Sequence, residues 1–341
     1  MANESHLCFK WLKHDNSTTI EDLNDQFTLR HLGGIIFTAV LMIFGFFGNI
    51  MVLWIYIRRF KPSTYRIYTV CLALMDIGNC CTGMPFLIYY MSHYLIFPSA
   101  ALCQFGRFMI MFTTNCSAYI LIVIAFDRFR KVCRPLKWQM SHKHAALCCI
   151  IAGCTSLIVS WPTLVVYGNH TMETVVENLP GLRCWTKDPL VDTSYPSAYF
   201  ITVCVMMVTV MVVLFVAYIN ILRFLHRHKT TGINIKTKST TITLLAVTAA
   251  FLLSAIPYYS MVIALLILTR LNCDMTFSEG FAYYTIVFSI LLNHAVNPFI
   301  YGFLDKKFRR EVWSMFKKGD GKEDMTTSGS KFDGSVNKID Q

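Results

Sequence analysis

The sequence predicts an all-α integral membrane protein: a seven-transmembrane helix bundle followed by a short amphipathic helix. Three observations predict it. The 341 residues are 55% hydrophobic and only 15% charged, whereas soluble domains carry about a quarter charged residues. Seven long, mostly apolar stretches punctuate the chain. Lysine and arginine fall in alternate connections between those stretches. With a mean hydropathy of +0.47, a soluble molecule of this composition could not cover its own surface.

A helical span needs about 20 mostly apolar residues to cross roughly 30 Å of hydrocarbon. The stretches Gly33–Ile57, Ile67–Met91, Gln104–Phe126, Ala145–Val166, Ala198–Leu222, Thr240–Leu268 and Phe281–Phe303 meet that length. Lipid offers no hydrogen-bond partners, so each span must satisfy its own backbone as a helix. A β-barrel would need short alternating segments, and these runs are continuous. The chain divides into an extracellular N-terminal segment (1–32), the seven-helix domain (33–303), an amphipathic membrane-surface helix (304–318) and a disordered cytoplasmic tail (319–341). Met1 to Lys13 lacks the apolar core of a cleaved signal peptide, so the first span is expected to serve as the targeting signal.

Basic residues set the orientation. Arg58, Arg59, Lys61 and Arg66 follow span one. Arg130, Lys131, Arg134, Lys137 and Lys143 follow span three. Arg227, Lys229, Lys236 and Lys238 follow span five, and Lys306, Lys307, Arg309 and Arg310 follow span seven. The N-terminus is therefore expected outside and the C-terminus inside, in the plasma membrane. The net charge of +11 comes from these loops and not from a basic face for nucleic acid. The sequons at Asn3, Asn16 and Asn169 fall on expected outside segments, as glycosylation requires; that of Asn115 lies in a span. The thirteen cysteines show no zinc-site spacing. After span seven, Leu304, Phe308, Val312, Met315 and Phe316 share one helical face, with basic residues beside it, as in an interfacial helix.

A few polar residues sit where they are costly. Asp76 lies inside span two, where a charge costs at least about 2.5–3.5 kcal/mol and needs partners; it is either a polar knot between helices or an ion site. Asp127-Arg128-Phe129 closes span three. Asn297-Pro298-Phe299-Ile300-Tyr301 closes span seven, with a proline that removes a helix bond. Each feature alone has a bland explanation, such as interfacial anchoring or an ordinary kink.

Together, Gly48-Asn49, Asp76, Cys103, Asp127-Arg128, Cys184, Pro257 and Asn297–Tyr301 occur in order on the right helices at the right ends. Over roughly Gly33 to Phe316 the chain resembles the rhodopsin-like (class A) G-protein-coupled receptors, and among them the peptide-receptor type. The resemblance implies that Asp127, Arg128 and Phe129 belong to the G-protein coupling site, and that Tyr218 and Tyr301 swing in to support Arg128. It implies Pro257 as the pivot of span six, and Asn297 and Pro298 as part of the activation motif. It implies an allosteric sodium ion held by Asp76, Ser117, Asn293 and Asn297, and a disulfide between Cys103 and Cys184. A second bridge, Cys8 to Cys273, has counterparts in peptide and chemokine receptors. Departures are Phe129 for tyrosine, Ala255 for the aromatic toggle, Val210 for the proline of span five and Trp161-Pro162 placed late in span four; the usual activation relay therefore lacks its aromatic residue.

Amine ligands need a carboxylate at the position of Ile110, and retinal needs a span-seven lysine; neither is present. The expected ligand site is Tyr89, Tyr90, Gln104, Arg107, Ile110, Tyr258, Tyr259, Glu279, Tyr283 and Tyr284. Tyrosine and arginine dominate recognition hot spots, though tyrosine also anchors spans at the interface. Arg107 would meet a ligand carboxylate, pair with Glu279 or snorkel outward. Acids on outside segments would steer a basic peptide. The reading is a receptor for a neuropeptide-like ligand, signalling through a heterotrimeric G protein, with arrestin recruited by Thr326, Thr327, Ser328, Ser330 and Ser335. Alternatives are a receptor for a small acidic or lipid ligand, a non-signalling scavenger receptor and a transporter. The chain shows no repeat of the kind transporters use and no catalytic motif, so no enzyme is expected.

Overall fold

The computed structural model describes residues 11–15, 17–176, 178–227, 235–267 and 275–317. Among the described residues seven helices are long and apolar enough to cross a membrane: Ile20–Arg59, Thr64–Ser92, Ala100–Cys133, His142–Val166, Ser194–Arg227, Thr237–Ala264 and Phe277–Leu304. Each overlaps its predicted stretch, numbered here as spans one to seven. A terminal helix, Lys306–Lys317, follows. Span three is the central one, with 56% of its most apolar window buried against 28% in spans one and five. The outer flanks of spans one, five and six expose Ile36, Phe44, Phe47, Val205, Phe215 and Leu253, as lipid-facing surfaces do. Cys8, Cys273, Asn3, Asn16, Leu268, the Phe316 side chain and the tail from 318 on lie outside the described residues.

The first helix begins thirteen residues before the apolar stretch does, at Ile20 rather than Gly33. The boundary expected at 32 is therefore not a structural break. Thr19 caps the helix, and Asp22 returns a bond to the Thr19 backbone, forming a capping box. Leu23, Phe27 and His31 then bury one face at four-residue spacing, and packing continues the helix past the bilayer. Its polar residues tie it to span two: Asn24 Nδ2 and Thr28 Oγ1 both donate to Ser92 O, at 2.9 and 3.0 Å.

Spans two and seven each contain a turn of different helical geometry. Span two contains a π-helical turn at Asn79–Gly83, next to Pro85, and π turns gather at functional sites. Span seven contains a 3-10 turn at Phe288–Leu291. Further along, Pro298 has no N–H to offer the carbonyl four residues before it. That carbonyl, His294 O, is satisfied by Asn49 Nδ2 at 2.9 Å. Gly45 lets spans one and seven approach: a Cβ there would lie 3.2 Å from His294 O.

The connection after span four is a hairpin that the sequence reading did not foresee. Strand β1 (Tyr167–Met172) pairs antiparallel with β2 (Gly181–Thr186), placing Asn169 opposite Cys184 and His170 opposite Arg183. A disulfide joins Cys184 to Cys103 at the start of span three, with Cα atoms 5.4 Å apart. Such a bridge stabilises by about 2–4 kcal/mol. The hairpin also exchanges backbone bonds with Leu95 and Phe97, so it is held across the bundle mouth. At the opposite end, Asp305 caps the terminal helix through Lys307 N and Phe308 N and accepts from Tyr56 and Tyr65. Phe308 is buried beside Tyr301.

Candidate functional site

Functional side chains gather at three depths. At the hairpin end, span three carries Arg107 one turn beyond the disulfide. Its guanidinium carbon lies 4.5 Å from the Tyr90 ring centre, 5.0 Å from Tyr167 and 5.8 Å from Phe86. These are cation–π distances. Nε and Nη2 of Arg107 have no hydrogen-bond acceptor among the described residues, while the guanidinium is also hydrogen-bonded to the Tyr90 side chain. Tyr258 is among its electrostatic neighbours and packs edge-on to Tyr259. Ile110 lies one turn deeper, against Gly83. Gln104 stands partly exposed one turn above Arg107.

Tyr89 stacks on His93 at 4.0 Å. Tyr283 is buried and meets Tyr284 edge-on, and Tyr284 in turn meets His31 at 4.1 Å. Glu279 does not join this group. Its carboxylate accepts from the backbone and hydroxyl of Thr276, capping the start of span seven. The expected pairing of Arg107 with Glu279 is not formed, because the helix cap has taken the acid.

The structure adds residues that the sequence reading did not place here. Trp11 lies over Arg30 at 4.4 Å and edge-on to Phe27, which stacks on Tyr94 at 4.7 Å. The N-terminal turns thus extend the aromatic lining over the mouth. Arg183 donates to Tyr94 OH at 3.0 Å and lies 4.9 Å from the Trp185 ring centre. On the hairpin, burial and the neighbouring Arg183 charge hold the His170 imidazole below its ordinary pKa, with Asp188 opposing them. Hydrogen bonds from Thr171 keep the Asp188 carboxyl below its own ordinary value despite some desolvation. Asn169 is half-buried on β1.

At mid-depth, Asp76 is fully buried. Its Oδ1 meets His294 Nδ1 at 2.8 Å, and its Oδ2 accepts from Asn297 Nδ2 at 2.8 Å. Ser117 Oγ and Asn293 Nδ2 have no hydrogen-bond partner among the described residues. His294 therefore stands where the sequence reading placed only Asn293 and Asn297. A fully buried histidine in an apolar span was the available signal.

At the far end, Arg128 is closed onto its own neighbour. Its Nη2 pairs with Asp127 and donates to Thr64 Oγ1 at 3.2 Å. Lys131 also reaches Asp127, at 3.0 Å. Asp127 and Arg128 are 1% and 3% exposed, so both charges depend on this knot. Tyr218 is bonded to Thr248, which donates at 3.1 Å. Tyr301 packs against Tyr56 and Phe308 with its hydroxyl unbonded. Neither tyrosine touches Arg128. Phe129 lies under the Arg134 guanidinium. Pro257 sits inside the span-six helix, Ala255 is fully buried, and Ser289 Oγ donates to Ser254 O at 3.0 Å across to span seven.

The chain matches the 7 transmembrane receptor (rhodopsin family) over residues 48–301. It is similar to the neuropeptide S receptor of Homo sapiens, 27% identical over 163 residues; the match spans 47% of this chain and only 41% of that receptor. It is 25% identical to pinopsin of Columba livia over 309 residues, covering 86% of this chain and 84% of that protein. It is 25% identical to the B1 bradykinin receptor of Canis lupus familiaris over 326 residues, covering 90% and 88%.

Proposed function

The chain belongs to the rhodopsin family of seven-transmembrane receptors, and from that premise we propose that it is a cell-surface receptor activated by a peptide-like ligand that presents a carboxylate to Arg107. The observation that carries this reading is the guanidinium itself: it lies among tyrosine rings, with two nitrogens lacking any acceptor. A buried charge left unpaired is costly, so an anion arriving from outside gains both Coulomb energy and hydrogen bonds. The hairpin end faces the extracellular side in this reading, following the basic loops at the other end. Asp15, Glu21, Asp22, Asp25, Asp188 and Asp192 then surround the mouth and favour basic residues elsewhere on the peptide. The similarity to peptide receptors supports the ligand class. The chain has no lysine in span seven, which sets it apart from a retinal receptor.

Signalling passes through Arg128 to a heterotrimeric G protein. The knot with Asp127 and Thr64 is a resting arrangement, and activation would free the guanidinium as span six moves about Pro257. Leu136, 99% exposed in the loop after span three, is an apolar contact for the partner.

The experiment expresses the receptor in cells with a broad G-protein reporter and applies tissue extract, untreated or protease-digested. Responses lost on digestion, and lost in Arg128→Ala, support a peptide receptor. A protease-resistant response that still needs Arg107 makes the ligand a small acid or lipid. An Arg107→Ala receptor with full potency at equal surface level removes the carboxylate contact.

A further inference from the structure

The family resemblance implies a sodium ion beside Asp76, and the residues around that carboxylate do not suit one. A hard cation takes oxygen ligands. Here both carboxylate oxygens face nitrogen: Oδ1 meets His294 Nδ1, and Oδ2 accepts from Asn297 Nδ2, each at 2.8 Å. Of the other expected ligands, Ser117 Oγ and Asn297 Oδ1 are oxygens without a hydrogen-bond partner among the described residues, but neither Asp76 oxygen is left free to join them around a cation. We propose that the His294 side chain holds the place of the cation, so that the resting bundle is completed from within the chain and is independent of sodium.

The imidazole is fixed from several sides. Its Nδ1 proton is directed at Asp76 of span two. Its Nε2 lies 3.4 Å from Thr114 Oγ1 of span three, so that both ring nitrogens have a partner. Its backbone carbonyl, freed by Pro298, is taken by Asn49 of span one. Four spans therefore converge on one residue that is fully buried. A diffusible ion stabilises by an amount set by its concentration relative to its dissociation constant; a side chain in the same place is always present. The inference does not depend on which ligand the mouth accepts.

Purified full-length receptor is heated in sodium chloride and in choline chloride at equal ionic strength, and the unfolding midpoint is read by intrinsic fluorescence. The wild type is expected to give the same midpoint in both salts. His294→Ser, which removes the ring, is expected to gain a saturable rise in sodium. A saturable sodium rise in the wild type overturns the proposal, as does a folded His294→Ser receptor without one. If His294→Ser does not fold, Asp76→Asn decides. The proposal requires that variant and the wild type to show the same absence of sodium response, whereas a sodium response present in the wild type and lost in Asp76→Asn overturns it.

Discussion

Arg107 and Arg128 leave the same helix 21 residues apart, which is roughly 30 Å at ~1.5 Å per residue, and they are satisfied in different ways. Arg128 is paired with Asp127 and bonded to Thr64. Arg107 has rings for neighbours and two nitrogens without acceptors. A charge closed onto its own chain can be released, and a charge left open can be filled. The two ends of span three thus hold a contact to be broken and a contact to be made, joined by a continuous helix.

The largest effect should come from breaking the closed end. Arg128→Ala is expected to abolish the G-protein response at matched surface level, while the receptor still depletes the active component from extract. Next, Arg107→Ala should weaken potency by about 2–5 kcal/mol, the range for truncating one partner of a buried charge pair. Arg107→Lys should recover part of that loss, because a lysine keeps the charge without the planar fork. Dose–response curves on both variants measure it. Asp127→Asn should raise ligand-independent signalling by roughly five-fold, the ratio that 1 kcal/mol produces, since it loosens Arg128 without removing it. Basal reporter output checks this.

The smallest effect belongs to the hairpin. The folded state holds the His170 pKa below its ordinary value, through burial first and Arg183 second, against Asp188. The unfolded strand therefore binds the proton more readily, and stability falls as pH drops through and below about 6.5. Hydrogen-exchange protection factors, which remove the intrinsic pH dependence of exchange, should be lower for the amides of Tyr167–Met172 at acidic than at neutral pH, with those of span three unchanged.

The spans were legible because a membrane crossing imposes length and hydropathy on every residue of a segment. The disulfide was legible because Cys103 at the outer start of span three and Cys184 in the loop before span five matched a family pattern. The hairpin was not, since Tyr167–Met172 and Gly181–Thr186 show no clean alternation of apolar and polar residues. The early start of the first helix had a local signal in Thr19 and Asp22, but hydropathy outweighed it. The helix-capping role of Glu279, set by Thr276 three residues earlier, was not read from the sequence. His294 was passed over beside two asparagines that fitted the pattern. The resemblance named the two asparagines and gave no role to the histidine between them.

The uninterrupted first helix also limits how its gene can vary. Asn24 must reach Ser92 at the mouth while Asn49 reaches His294 at mid-depth. One residue inserted between them would turn the two halves by about 100° relative to each other. Phe27 and His31 would then leave the aromatic mouth whenever Asn49 kept its place. Between these two asparagines the chain can accept substitutions far more readily than insertions or deletions.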